Sequence, residues 1–279
     1  MVHTPGLDTA PEKSGPLYAV SMVVPYVLTA GLLVLLIYCH VNSEPFNISG
    51  EDGFVEWGST VSLSLCALLA MTAAWTHRRE LTRAQVILLV VFALVALGAV
   101  GEELSWGQRL LGFKGPLSMD THGGAALRTG HNDVTIHNLT IDLGFMKFSP
   151  GGALFGVPLF IGLFLHGVWL PVRVKRGGRK AVAFVNKLGL FLPPMHLGVL
   201  VLVGAVFFHY RRMWHHTDSR EYKEMLVPTV YVFILLHCFF RQRKPLATAV
   251  TAVALALLVL ALAWSWQQGM MGLPAGTNR

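Results

Sequence analysis

Long apolar runs alternate with short polar ones along the whole chain. Seven segments, 18–41, 57–76, 85–105, 152–172, 189–209, 219–240 and 246–267, are predominantly apolar. A bilayer core about 30 Å thick takes roughly twenty helical residues, so each segment is predicted as a transmembrane helix. The sixth has the shortest apolar core, "MLVPTVYVFILLHCFF", and Asp218 followed by Glu221 fits a capping box that extends it outward. Pro25, Pro158, Pro193, Pro194 and Pro228 fall inside or near the ends of these segments. Such prolines are tolerated where neighbouring helices satisfy the freed backbone groups, which argues for a packed bundle. The expected fold is all-α: a polytopic membrane bundle of about seven helices. It comprises an N-terminal tail (1–17), a membrane domain (18–267) with a long outer loop (106–151), and a C-terminal tail (268–279).

The polar connections set the orientation. "HRRELTR", "RVKRGGRK" and "RQRK" join spans two to three, four to five and six to seven, and all are densely basic. Short basic loops stay in the cytoplasm. The first alternate loop, "NSEPFNISGEDGFVEW", carries four carboxylates and no Lys or Arg. The N-terminus is therefore expected inside and the C-terminus outside, in a bacterial inner membrane.

Composition agrees. Hydrophobic residues make up 53% of the 279 and charged residues 13%, half of what a soluble domain carries. The net charge of +7 resides in the short loops, where it encodes topology, so nucleic acid is excluded as a partner. Cys39, Cys66 and Cys238 lie in apolar runs and read as small hydrophobes, without a disulfide framework.

Carboxylates and imidazoles gather on the outer side. Glu51, Asp52 and Glu56 precede the second span, and Glu102 and Glu103 end the third beside Trp106. The following loop contains His131 and His137, and the sixth span opens with Glu221 and Glu224. Each has a structural explanation: Glu51 and Asp52 cap a helix, Glu56 meets its positive end, Glu224 pairs with Arg220 four residues away. Glu102 and Glu103 mark a span end at the interface, where a charge avoids the full cost of the bilayer centre.

Three of these stretches, "EDGFVEW", "GEELSWGQRLLGF" and "HNDVTIHNL", together resemble a set of uncharacterised polytopic bacterial membrane proteins. That set reads EDGxxEW, then GEExSWGQR, then a polar stretch ending in HN. The resemblance spans about residues 50–140 and departs at His131 and Asp133. It brings no reaction. It implies that Glu51, Asp52, Glu56, Glu102, Glu103, Ser105, Trp106, Gln108, Arg109, His137 and Asn138 form one constellation.

Three functions follow from these residues. The first is a hydrolase or transferase acting on a lipid or lipid-linked substrate, with Glu103, Glu102, Glu51 and Asp52 as catalytic candidates. A divalent metal, zinc favoured, would be held by Glu103 and His137 with His131 or Glu224, with Glu56, Ser105, Trp106, Gln108, Arg109 and Asn138 in support. On a helix Glu103 faces about 100° away from Glu102, and Glu103 is assigned to the bundle side. The second is an intramembrane haem or zinc site: His166, His196 and His237 fall at a common depth of about 18–21 Å, at about 1.5 Å per residue. The third is a non-catalytic assembly or transport component that binds a partner in a membrane complex.

Overall fold

The computed structural model describes residues 16–41, 54–104, 126–128, 140–142, 147–148, 157–209 and 219–240. The body is helical: α1 (Pro16–Val41), α2 (Phe54–Thr76), α3 (Arg83–Glu103), α4 (Val157–Phe164), α5 (Leu170–Lys175), α6 (Arg179–Leu188), α7 (Met195–His209) and α8 (Ser219–Leu235). A π-helical turn, Leu165–Trp169, joins α4 to α5, and a second, Leu236–Phe240, extends α8. Three strands, β1 (Ala126–Arg128), β2 (Thr140–Asp142) and β3 (Lys147–Phe148), pair antiparallel in that order. They add a small sheet within the stretch expected as a plain outer loop.

Among the described residues, three helices are long and apolar enough to cross a membrane: Phe54–Thr76, Arg83–Glu103 and Tyr222–Phe240. Shorter apolar helices cover Val23–Tyr38 and Met195–Phe208. The expected seventh span, 246–267, lies outside the described residues. Much of the exterior is apolar. On α3 the buried positions are Gln85, Leu89, Ala93 and Ala96, while Ile87, Val91, Leu94 and Val95 face outward. An outward stripe of large aliphatics suits a lipid surround and would be a liability in water. The extended α8 is the most buried of the three, and α2 packs along it.

Prolines shape this bundle. Pro171 has no N–H to give the Gly167 carbonyl one turn earlier, so the ladder shifts there, and the Leu170 N–H bonds instead to the Leu165 carbonyl five residues back. The same stretch meets α7 at a crossing of two glycines. A methyl at Gly198 would collide with the Gly167 carbonyl oxygen and α-carbon. Paired small residues let two helix backbones touch, the usual device where lipid supplies no hydrophobic drive between helices.

The fifth span departs from expectation. Residues 189–209 read as one helix, but helix begins only at Met195, and residues 190–194 run irregularly through buried surroundings. Pro193 and Pro194 explain the break, because each disfavours helical geometry in the residue before it. Buried irregular backbone needs partners for its polar groups. The Leu190 N–H bonds to the Val185 carbonyl, closing α6 at Gly189, whose φ of +68° suits only glycine. His166 Nε2 donates to the Phe191 carbonyl at 2.7 Å, and Cys238 Sγ donates to the Leu192 carbonyl at 3.5 Å. The Pro194 carbonyl accepts from Leu197 and Gly198 in the first turn of α7.

Charge divides between the two ends. The α2–α3 turn with Arg78 and Arg79 meets α6, because Gly189 packs on the backbone of Ala84 and Gln85. The end of the α8 extension lies there too, with Phe239 and Phe240 against the His77 ring. The basic stretches 77–83 and 173–180 thus share one end with the close of the α8 extension. At the opposite end stand Glu56, Glu102, Glu103 and Glu224.

Candidate functional site

The acidic end is built by α2, α3 and α8. Pro228 in α8 removes the N–H that would have bonded to the Glu224 carbonyl one turn earlier. Ser59 of α2 fills the gap: its Oγ lies 3.2 Å from the Glu224 main-chain oxygen. The same Oγ lies 3.3 Å from Glu103 Oε1, at the end of α3. One hydroxyl therefore stands where three helices meet, within reach of both the Glu103 carboxylate and the Glu224 carbonyl.

Ser59 opens a stripe of such contacts. Ser62 Oγ bonds to Thr229 Oγ1 at 2.8 Å, and Cys66 Sγ donates to the Pro228 carbonyl at 3.3 Å. Positions 59, 62 and 66 share one helix face, and all three contacts fall on the proline-interrupted part of α8.

Lys223 contributes a cation. Its side chain is only about 5% exposed, and Nζ lies 3.6 Å from Glu224 Oε1. Glu224 thus pairs with its neighbour; the expected partner Arg220 has a side chain outside the described residues. Tyr222 is fully buried and stacks on Phe208 of α7, ring centroids 5.9 Å apart, which anchors this first part of α8. The arrangement offers a held carboxylate, a second carboxylate beside an ammonium, and a hydroxyl, at the end of an apolar bundle. Glu103 and Glu224 supply oxygen atoms of the kind that take up protons or hard cations.

Several expected residues can be placed. Glu103 turns to Ser59. Glu102 and Glu56 are half-buried at the same end, Glu56 three residues before Ser59 on α2. Glu51, Asp52, Ser105, Trp106, Gln108, Arg109, His131, His137 and Asn138 lie outside the described residues. Ser59 and Lys223 were not anticipated. The clue to Ser59 is Pro228, which strips the Glu224 carbonyl of its partner and calls for a donor from another helix. Lys223 carries no such clue, because a lysine in a polar turn ordinarily reads as solvated.

The three histidines of the alternative site have different neighbours. Both ring nitrogens of His166 are engaged, Nε2 with the Phe191 carbonyl and Nδ1 with the Tyr231 hydroxyl at 3.0 Å. A carbonyl only accepts, so Nε2 carries a proton and is closed to a metal. The His166 ring also stacks on Tyr231, whereas His196 stacks on Tyr26 and His237 sits in the second π-helical turn. Among the described residues no group of three or more His, Cys, Asp or Glu side chains is arranged to hold a metal ion.

The helices and the acidic end are compatible with an integral membrane protein. No family model, curated protein or solved structure matches the chain.

Proposed function

We propose that the protein resides in a bacterial inner membrane and acts at its acidic end, on the outer face, as a hydrolase or transferase of a lipid or lipid-linked substrate. The observation that supports this reading is the Glu103 carboxylate in contact with Ser59, whose hydroxyl also reaches the main chain of Glu224, the partner of Lys223. A substrate moving laterally in the outer leaflet meets that end with its tails still in hydrocarbon. In this reading Glu103 is the general base, and Lys223, released from Glu224, would meet the anionic oxygen of a phosphoester or pyrophosphate. A divalent metal at this end would draw on Glu103 and Glu224, with His131 and His137 of the loop as nitrogen ligands.

The test uses full-length protein reconstituted in vesicles of total bacterial lipid, with products followed by mass spectrometry and bound metal measured. Wild-type protein is expected to convert a lipid species, and Glu103→Gln to lose at least a hundredfold in rate, in the range general-base catalysis contributes. Equal conversion by both proteins would sink the role of Glu103. No conversion by wild-type protein, together with stoichiometric recovery of a second membrane protein, would favour the non-catalytic assembly role instead.

A further inference from the structure

The opposite end carries a feature that the acidic site does not explain. α6 is a ten-residue helix lying between two apolar helical stretches. Its inner face, Ala181 and Val185, is buried, and Val185 joins a small separate core with Leu170 and Leu192. Gly189 then locks its end on the start of α3. The helix is therefore fixed in place by its inner side.

Its outer side is mixed in a particular way. Lys180, Phe184, Lys187 and Leu188 fall within about 100° of arc. All four are exposed, Phe184 at 48% and Leu188 at 44%. A face turned to water has no use for an exposed phenylalanine and leucine. A face turned to hydrocarbon would not carry two lysines. Residues 173–188 contain six basic side chains and no acidic one.

Two neighbouring helical stretches mark the level at which this face lies. Along α4, the π-helical turn and α5, the outward residues Ile161, Leu165 and Trp169 are followed by Arg173, whose guanidinium lies 5.8 Å from the Trp169 ring centroid. On α2, Leu68, Met71 and Trp75 are followed by Arg78, 4.3 Å from the Trp75 centroid. Both stripes pass from aliphatic to tryptophan to arginine, the order met on leaving hydrocarbon for headgroups.

We propose that α6 lies in the headgroup layer at the basic end of the bundle and binds anionic phospholipid there. Phe184 and Leu188 enter the acyl boundary while Lys180, Lys187 and Arg179 meet the phosphates. The proposal needs a membrane location but not the catalytic reading, so either can fail without the other.

The experiment uses the full chain in detergent with added phosphatidylglycerol or phosphatidylcholine, reading lipid retention by native mass spectrometry and Tm by thermal unfolding. Phosphatidylglycerol is expected to be retained in preference and to raise Tm, while phosphatidylcholine does neither. The combined Arg179→Gln, Lys180→Gln and Lys187→Gln variant should lose at least tenfold of that preference, each basic side chain near an anionic surface counting for roughly fivefold. If the triple variant does not express, Lys180→Glu alone, at an exposed position, should still lose about fivefold or more. Equal stabilisation by the two lipids, or an unchanged preference in the variants, would overturn the proposal.

Discussion

Ser59 has one hydroxyl proton and two acceptors within reach, the Glu103 carboxylate and the Glu224 carbonyl. A carboxylate gives nothing back, so only one contact at a time is a full hydrogen bond. A glutamine at 103 would donate an amide N–H to Ser59 and free the hydroxyl for the carbonyl. Glu103→Gln is therefore expected to unfold within about 0.5 kcal/mol of wild type. Ser59→Ala removes the donor that, among the described residues, stands in for the N–H that Pro228 lacks. It should cost about 1–3 kcal/mol, the penalty for an unsatisfied buried acceptor, read as a lower Tm in detergent. An unchanged Tm for Ser59→Ala would mean that another group satisfies the Glu224 carbonyl. Glu103 stood out in the sequence because a carboxylate is conspicuous at the end of an apolar run. Ser59 did not, because a serine in a span is unremarkable until the proline opposite it is considered.

The elements differ in how readable they were. α2 and α3 match the expected segments 57–76 and 85–105 to within a few residues, because continuous apolar runs bounded by charge leave little choice. Thr82 and Gln85 even form the reciprocal capping box that starts α3. The segment at 189–194 was misread, since hydropathy cannot tell apolar helix from apolar irregular chain, although the adjacent prolines carried the signal. The crossing of the π-helical turn and α7 was invisible, because a glycine in a span gives no hint of its partner. That crossing can be tested. Gly198→Ala places a methyl against the Gly167 carbonyl, where backbone must move, and should cost about 1–3 kcal/mol or more. Gly162→Ala, in α4 with open space around it, should be neutral or slightly stabilising. Equal effects of the two substitutions on thermal unfolding would show that the helices separate easily.

Taken together, the basic stretches 77–83 and 173–180 share one end, and Glu56, Glu102, Glu103 and Glu224 stand at the other. Charge separation of this kind predicts a single orientation with the basic end in the cytoplasm. A cysteine replacing Lys180 should resist a membrane-impermeant thiol reagent applied outside intact cells, and one replacing Gly151 should react. The reverse pattern would invert the molecule and move the acidic site to the cytoplasmic face. Segregated charge was legible from loop composition alone. The convergence of α2, α3 and α8 at the acidic end was not, because it rests on contacts up to 165 residues apart.

The irregular segment before α7 also bears on how the protein is made. At fifteen residues, α7 rises only about 22 Å, shorter than a bilayer's hydrocarbon thickness, and the buried segment 190–194 precedes it. Its carbonyls depend on His166, already synthesised, and on Cys238, which emerges from the ribosome 46 residues after Leu192. In a chain threaded into a membrane from its N-terminus, the Leu192 carbonyl would therefore lack this partner while α4 to α7 are already present. The last part of α8 would then close it.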